Sequence, residues 1–388
     1  MDLTFSEEQE MLRATLRDML EHHSSPEIVR ELEDTPEGFS TSLWQELAKG
    51  DLIGLTLPED LGGSGMGALE SVVLYEEFGR ALASTPHLHT AVLGAGLLLA
   101  AGTTEQQEQW LPMIARGEVI LTTGWYESQR SDGPAGIQVT AKRDGDGYRL
   151  SGTKIRVPLA SSAGAIAVLA RTGDAPADVS IFYVAPNADG VSLEQTPVLG
   201  SDAEYEVVFN DVELTPAHLL GEQENIGWTA FTTAMDDVLL AVAAFAIGGA
   251  RRALEMTVEY AKTREQFGKP IGSFQGLAHP IADMATELIG AQVLVYQAAW
   301  RRANGLPLGP LASMAKVYAC DVFKRTTKVG QQVFGGVGFT RALDIQLYFR
   351  RAKQLELTWG GPAFHDEVIA AAELDRERGW VSIDAGVE

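Results

Sequence analysis

At 388 residues and 45% hydrophobic content, the chain is longer than one typical domain and can bury a large core, which places it among ordinary globular proteins. Its formal charge of -23 argues against nucleic acid or an anionic membrane as a general partner, while leaving room for a local basic patch that holds a phosphate. A single cysteine, Cys320, excludes an intramolecular disulfide and suits a reducing, cytoplasmic setting.

The N-terminus, Met1-Asp2-Leu3-Thr4, lacks a basic segment followed by an apolar run, so no signal peptide is expected. Ser6-Glu7-Glu8-Gln9 has capping-box spacing, and Met11, Leu12, Leu16, Met19 and Leu20 continue at helical intervals, so the chain opens on an amphipathic helix. Further helices are predicted over 42–48, ending at Gly50; over 69–83, with Glu76 and Glu77 on an exposed face; over 90–101, ending at Gly102; and over 104–114. Between them, Pro58, Gly62, Gly63 and Gly65 make 57–65 a loop. The most apolar runs, 91–101 and 238–250, fall short of the ~20 residues that cross a bilayer and read as core helices, so no membrane span is expected.

From residue 120 the period changes to alternation. Segments 138–142 and 148–150 flank Asp144-Gly145-Asp146-Gly147, a hairpin signal because glycine supplies the positive φ of tight turns. Short strands follow over 166–170, 180–185, 191–194 and 205–209, with Asn210-Asp211 as a further turn. After Trp228 the helical period returns over 231–263, 274–304, 310–334 and 345–354, with a terminal helix over 364–372 and a frayed end at 384–388. The fold class is therefore α+β, mostly α: an N-terminal helical domain (1–119), a middle antiparallel β barrel or sandwich (120–228) and a C-terminal four-helix bundle (229–388).

From Tyr260 to Gln275 the chain reads Y-A-K-T-R-E-Q-F-G-K-P-I-G-S-F-Q. Gly268 and Pro270 read as a helix stop, which puts Arg264 in the last helical turn. A guanidinium there either caps the negative end of its own helix or holds a phosphate by two parallel hydrogen bonds. The pattern R-x-Q-F-G-x-P followed by F-Q, together with Gln332-Val333-Phe334-Gly335-Gly336-Val337-Gly338-Phe339, resembles the acyl-CoA dehydrogenase family. So does P-E-x-x-G-G from Pro58 to Gly63, and the helical, β, helical order is the arrangement of that family over nearly the whole chain.

The resemblance implies an oxidoreductase that takes a proton from the carbon next to a thioester carbonyl and passes a hydride from the following carbon to FAD. It implies that Arg264, Gln266, Phe267 and Gln275 meet FAD across a subunit interface, and that Gln332, Gly335 and Gly336 bring backbone amides to the dinucleotide. The base is where the chain departs: the family's Y-E-G-T segment corresponds to Thr358-Trp359-Gly360-Gly361, and Trp359 cannot accept a proton. The family's alternative base position falls on Val238, next to Asp237, so no catalytic residue is assigned. Leu239 stands where many relatives carry an arginine that meets CoA.

The in-chain flavin contacts depart as well. The T-E-P and G-S-D segment reads Trp125-Tyr126-Glu127-Ser128-Gln129-Arg130-Ser131-Asp132, and W-I-T reads Arg156-Val157-Pro158, where proline has neither hydroxyl nor amide hydrogen. Retained trans contacts beside lost cis contacts resemble the non-catalytic, trans-FAD-donating subunit of actinobacterial heterotetrameric acyl-CoA dehydrogenases that shorten sterol side chains. Implied partners are a homologous subunit in an α2β2 assembly, an acyl-CoA substrate and electron-transfer flavoprotein. Two alternatives stay open. One is an autonomous enzyme, either with a base relocated to Asp236 or Asp237 (less favoured, Glu356 or Glu367) or of flavin-monooxygenase type; the other is a flavin-free scaffold or CoA-binding protein. The seven histidines show no metal-ligand spacing, G-x-S-x-G is absent, and Gly63-Ser64-Gly65 and Gly336-Val337-Gly338 lack the preceding strand of a dinucleotide-binding βαβ unit.

Overall fold

The computed structural model describes residues 5–33, 35–128, 133–200 and 202–374. Expectations for 1–4, 129–132 and 384–388 lie outside the described residues. Two compact units divide the chain at Val238/Leu239, and Phe5 belongs with the second.

The first unit opens on α1 (Glu7–His23), whose N-terminus is fixed by its own sequence: the Ser6 side chain accepts from the Gln9 amide while the Gln9 side chain accepts from the Ser6 amide. After it come α2 (Pro26–Leu32), α3 (Thr41–Lys49) and α4 (Ala68–Ala81). A π-helical run over Leu88–Gly94 then leads into α5 (Ala95–Ala101), and α6 (Thr104–Ala115) follows. The expected exposure of Glu76 and Glu77 is corrected, since they are only 4% and 3% exposed. Arg13 reaches Glu76 at 3.1 Å and Arg17 reaches Glu77 at 2.7 Å. Packing α1 on α4 buries both carboxylates, and the guanidinium partners from α1 make that burial tolerable.

The strands are β1 (Leu121–Gly124), β2 (Thr140–Asp144), β3 (Gly147–Pro158), β4 (Ala165–Arg171), β5 (Val179–Val184), β6 (Val191–Thr196) and β7 (Glu204–Leu214). They form one connected sheet in the order β1-β4-β2-β3-β7-β6, with β5 also paired to β4. The predicted hairpin is present: β2 and β3 pair antiparallel across Gly145 and Asp146, with Gly145 at φ +61°. The expectation of a wholly antiparallel sheet is corrected. β1 pairs β4 in parallel from Leu121↔Ala165 to Gly124↔Val168, and β2 touches β4 in parallel at Thr140↔Arg171. The β2–β3 hairpin lies between β1 and β4 in sequence, so the chain re-enters beside β1 running the same way. The turn expected at Asn210-Asp211 is a bulge instead: β7 continues through it, Asp211 sits at φ +57°, and the register against β3 slips between Leu150 and Gly152.

The second unit is helical: the rest of α7 (Gly227–Thr263), then α8 (Gln275–Ala303), α9 (Leu311–Phe334), α10 (Ile345–Leu357) and α11 (Pro362–Leu374). Helices α8, α10 and α11 pack on α9. Gly249 on α7 lets that helix meet Phe323 of α9, since a Cβ there would lie 2.5 Å from the ring. By length and composition α7 could cross a membrane, but its apolar window is 78% buried inside the protein, so it is a core helix.

Candidate functional site

The stretch 260–275 does not end as a glycine-stopped helix. α7 closes at Thr263, and the Arg264 amide still donates to the Tyr260 carbonyl at 2.9 Å. Glu265 then pairs with Pro270 and Gln266 with Lys269, leaving Phe267 (φ +54°) and Gly268 (φ +79°) as the two central residues of a tight hairpin. Positive φ at both positions matches the mirror-image turns that join two-residue hairpins. Arg264 is therefore the first residue past the helix, and Gly268 serves the hairpin turn rather than a helix cap. Phe267, in a conformation that disfavours a bulky side chain, stands 94% exposed at the tip.

A small core fixes this hairpin to the bundle. Ala261, Ile271 and Val333 are buried together, with Tyr260, Phe274, Leu277, Ile281 and Val329 packed around them. Tyr260 stacks on Phe334 with ring centroids 4.3 Å apart, Phe274 meets Phe267 edge-on at 6.1 Å, and Lys269 Nζ lies 4.4 Å from the Phe274 ring centre. That core brings the two motifs together. Arg264, Gln266 and Phe267 lie on the hairpin, Gln275 begins α8, and Gln332 sits one residue before Val333. All five are exposed. α9 stops at Phe334 because Gly335 takes φ +67°, and a Cβ at Gly335 or Gly336 would have nothing within 4 Å. Lys262 and Lys328 are exposed beside Arg264 and Gln332 in the sequence. In a chain of charge -23, these exposed cations and the bare glycine backbone suit an anionic dinucleotide.

The position expected to carry the base is filled by a buried turn. Trp359 is 7% exposed and sits at φ +59°. Its carbonyl is 2.8 Å from His365 Nε2, whose Nδ1 is 3.0 Å from the Ser313 hydroxyl. Lys316 Nζ donates to the carbonyls of Gly360 (2.6 Å) and Glu356 (3.2 Å). Burial lowers the Lys316 pKa, with Cys320 and Glu356 acting against it, and burial pushes the Cys320 thiol up to about 11, so that cysteine is not a nucleophile. At Glu356, burial pushes the pKa up, but hydrogen bonds from Lys324 and Lys353 outweigh it and the carboxyl ends below its ordinary range. A base tuned for catalysis shifts the other way. Glu367 is exposed, Asp236 and Asp237 are half-buried, and Val238 and Leu239 are buried.

In the first unit, the segments that resemble in-chain flavin contacts serve internal packing. Glu127 accepts from the amides of Gln138 and Val139 and from Lys154 Nζ at 2.6 Å. Lys154 is fully buried, and burial brings its pKa down to about 8 against the pull of Glu127. Arg156 takes φ +55°, bonds Glu204 at 3.1 Å and lies over the Tyr126 ring at 5.2 Å. Burial raises the Glu204 pKa, partly countered by Arg156. The carbonyl of Pro158 accepts from the Thr122 hydroxyl at 2.6 Å. Sequence reasoning missed the Arg156–Glu204–Tyr126 cluster because its members come from β3, β7 and the segment after β1 and share no spacing. Gln129, Arg130, Ser131 and Asp132 lie outside the described residues.

Models of the acyl-CoA dehydrogenase N-terminal, middle and C-terminal domains match residues 6–118, 123–212 and 225–374. The Acyl-CoA dehydrogenase FadE27 of Mycobacterium tuberculosis is 32% identical over 369 residues, covering 93% of this chain and 95% of that protein. The chain belongs to the acyl-CoA dehydrogenase family. Among solved structures, the ChsE4-ChsE5 complex from Mycobacterium tuberculosis contains a chain 31% identical with a TM-score of 0.87, over 98% of this chain and 100% of that one. A structure described as the Tcur3481-Tcur3483 steroid ACAD G363A variant matches at 32% identity and a TM-score of 0.82, over 94% of this chain and 98% of that one. Acyl-CoA dehydrogenases use FAD and oxidise acyl-CoA. The exposed cations and open glycines around the hairpin fit such a dinucleotide. The described positions that resemble the in-chain flavin contacts fit it poorly, because Arg156 is committed to Glu204 and Pro158 offers no donor.

Proposed function

We propose that this chain is the non-catalytic subunit of a heteromeric acyl-CoA dehydrogenase. A homologous partner carries the base and the in-chain half of the FAD site, and this chain contributes the trans half to the partner's FAD. Arg264 would pair with the pyrophosphate, Gln266, Phe267 and Gln275 would line the cofactor, and Gln332 with Gly335 and Gly336 would offer polar and backbone contacts. The bound flavin supplies the hydride acceptor. This chain's part is to bind and orient it, with Phe267 limiting access of water.

One contrast carries the reading. The side chains suited to a dinucleotide are exposed and make only local contacts within the hairpin segment, such as Gln266 to the neighbouring Glu265 carbonyl and Phe267 to Phe274. The groups at the in-chain flavin positions and at Trp359 are instead tied up in bonds to distant parts of the chain or to a buried histidine. One similar structure is described as the ChsE4-ChsE5 complex, and another, Tcur3481-Tcur3483, as a steroid ACAD. The substrate proposed for the assembly is therefore an acyl-CoA thioester, with sterol side chains as a candidate class and electron-transfer flavoprotein as acceptor. The three-domain division at 119/120 and 228/229 belongs to the same proposal.

The test is to purify the chain alone and together with a homologous chain encoded beside it, then measure flavin absorbance per chain and acyl-CoA oxidation. The expectation is little flavin and no turnover alone, and both in the assembly. Full flavin occupancy by the lone chain would overturn the proposal.

A further inference from the structure

The last turn of α9 holds a polar side chain that nothing described above uses. Gln331 is 3% exposed, and neither its Oε1 nor its Nε2 has a hydrogen-bond partner among the described residues. It lies directly against the glycine-rich turn: a Cβ on Gly338 would sit 2.7 Å from Gln331 Oε1 and 2.9 Å from the Phe334 Cβ. Position 338 thus admits only glycine while the amide stays where it is. A methionine of similar volume would fill the same space without burying two unmet polar atoms, a state that weakens folding by about fivefold or more.

The turn over this amide is a short 3-10 helix, Gly335–Phe339, and most of it is open to solvent. Of Gly335–Phe339, only Gly338 is buried, while Val337 and Phe339 are 51% and 69% exposed. Beyond the bonds within that 3-10 helix, the Gly335 amide donates to the Gln331 carbonyl at the end of α9, and the amide and hydroxyl of Thr340 both donate to the Val337 carbonyl. Gln331 therefore faces a short, mostly exposed backbone segment in close contact with it, whose carbonyls can each accept a second hydrogen bond.

We infer that Gln331 is a positioning residue for the glycine turn, its buried amide acquiring backbone partners when a dinucleotide phosphate seats on Gly335 and Gly336. This rests on the trans-FAD reading. The unmet amide makes the free chain less stable and links cofactor binding to the bonding of the turn.

The experiment compares Gln331→Met with the parent, first as the lone chain in urea and then in the assembly with its partner. For the lone chain, the variant is expected to unfold at higher urea with an unchanged slope, its folding constant raised about fivefold or more. In the assembly, the FAD dissociation constant, read from flavin fluorescence, is expected to rise about five- to tenfold. Hydrogen exchange of the parent protein adds a readout free of any substitution, with the amides of 335–339 gaining protection on assembly. A lone Gln331→Met chain that is less stable or does not fold would mean the amide is already partnered, and would overturn the inference. Unchanged FAD affinity, or unchanged exchange, would do the same. Arg264→Ala is the reference arm: if it leaves the partner's flavin in place, the trans-FAD reading fails, whereas flavin loss with Arg264→Ala but not with Gln331→Met removes only the role of Gln331.

Discussion

Arg264→Ala separates cofactor binding from folding. The guanidinium is exposed and no ion pair holds it among the described residues, while its backbone bonds to Tyr260 and Ile271 survive truncation. The lone chain should therefore keep its stability within about 0.5 kcal/mol, as is usual for surface changes. If the side chain meets a pyrophosphate in the assembly, the loss is one charge-assisted contact of about 1.5–3 kcal/mol, or roughly ten- to a hundredfold in the FAD dissociation constant. Arg264→Lys keeps the charge but loses the planar fork and should fall between the two. The assay is equilibrium titration of the flavin-depleted assembly with FAD at two salt concentrations, beside a urea melt of the lone chain. The parent's affinity should fall with salt more steeply than the alanine variant's. Equal affinities with equal salt slopes would refute the reasoning, and so would a large loss of stability in the lone chain.

Trp359→Glu restores a carboxylate in sequence but not in place, because residue 359 lies in a buried turn held through its carbonyl and neighbours by His365 and Lys316. The expected outcome is a loss of about 2 kcal/mol or more in thermal or urea unfolding and no acyl-CoA oxidation by the lone chain; turnover there would contradict it. Gly249→Ala should lose about 1–3 kcal/mol from overpacking on Phe323, even though alanine is the better helix former. A more stable variant in urea would show that α7 and α9 can part without cost. His87 is buried against Tyr75 and the Leu52 carbonyl, and burial brings its pKa from 6.5 down to about 4. The folded value lies below the unfolded one, so its contribution is complete above pH 6.5 and is lost as pH falls toward about 4, at up to about 1.4 kcal/mol per pH unit. Urea midpoints between pH 7 and pH 4 should fall more steeply for the parent than for His87→Gln, and parallel profiles would exclude this histidine.

The local signals and the long-range ones fared differently. The capping box at Ser6 and the hairpin at Gly145 are each written within a few residues, and both form as expected. Asn210-Asp211 and Gly268 are equally strong local signals, yet one became a bulge and the other the tip of a second hairpin. Composition at those positions demands a positive φ or a break in regular bonding without saying which structure uses it. Glu76 and Glu77 look like any solvated pair until Arg13 and Arg17 are folded onto them.

By itself the sequence determined the order of helical and β segments, the absence of a glutamate at Trp359 and of a hydroxyl at Pro158, and the residues that make up the two motifs. These follow from periodicity and from what each side chain can do chemically, and neither needs a partner to be specified. Only the tertiary structure decided that β1 and β4 run parallel, that 260–275 and 332–339 share one core, that Arg156 is committed to Glu204, and that the Gln331 amide is buried with no hydrogen-bond partner among the described residues. Each of these depends on groups far apart along the chain, and whether a polar group is satisfied or free is a property of its neighbours rather than of its own residue type.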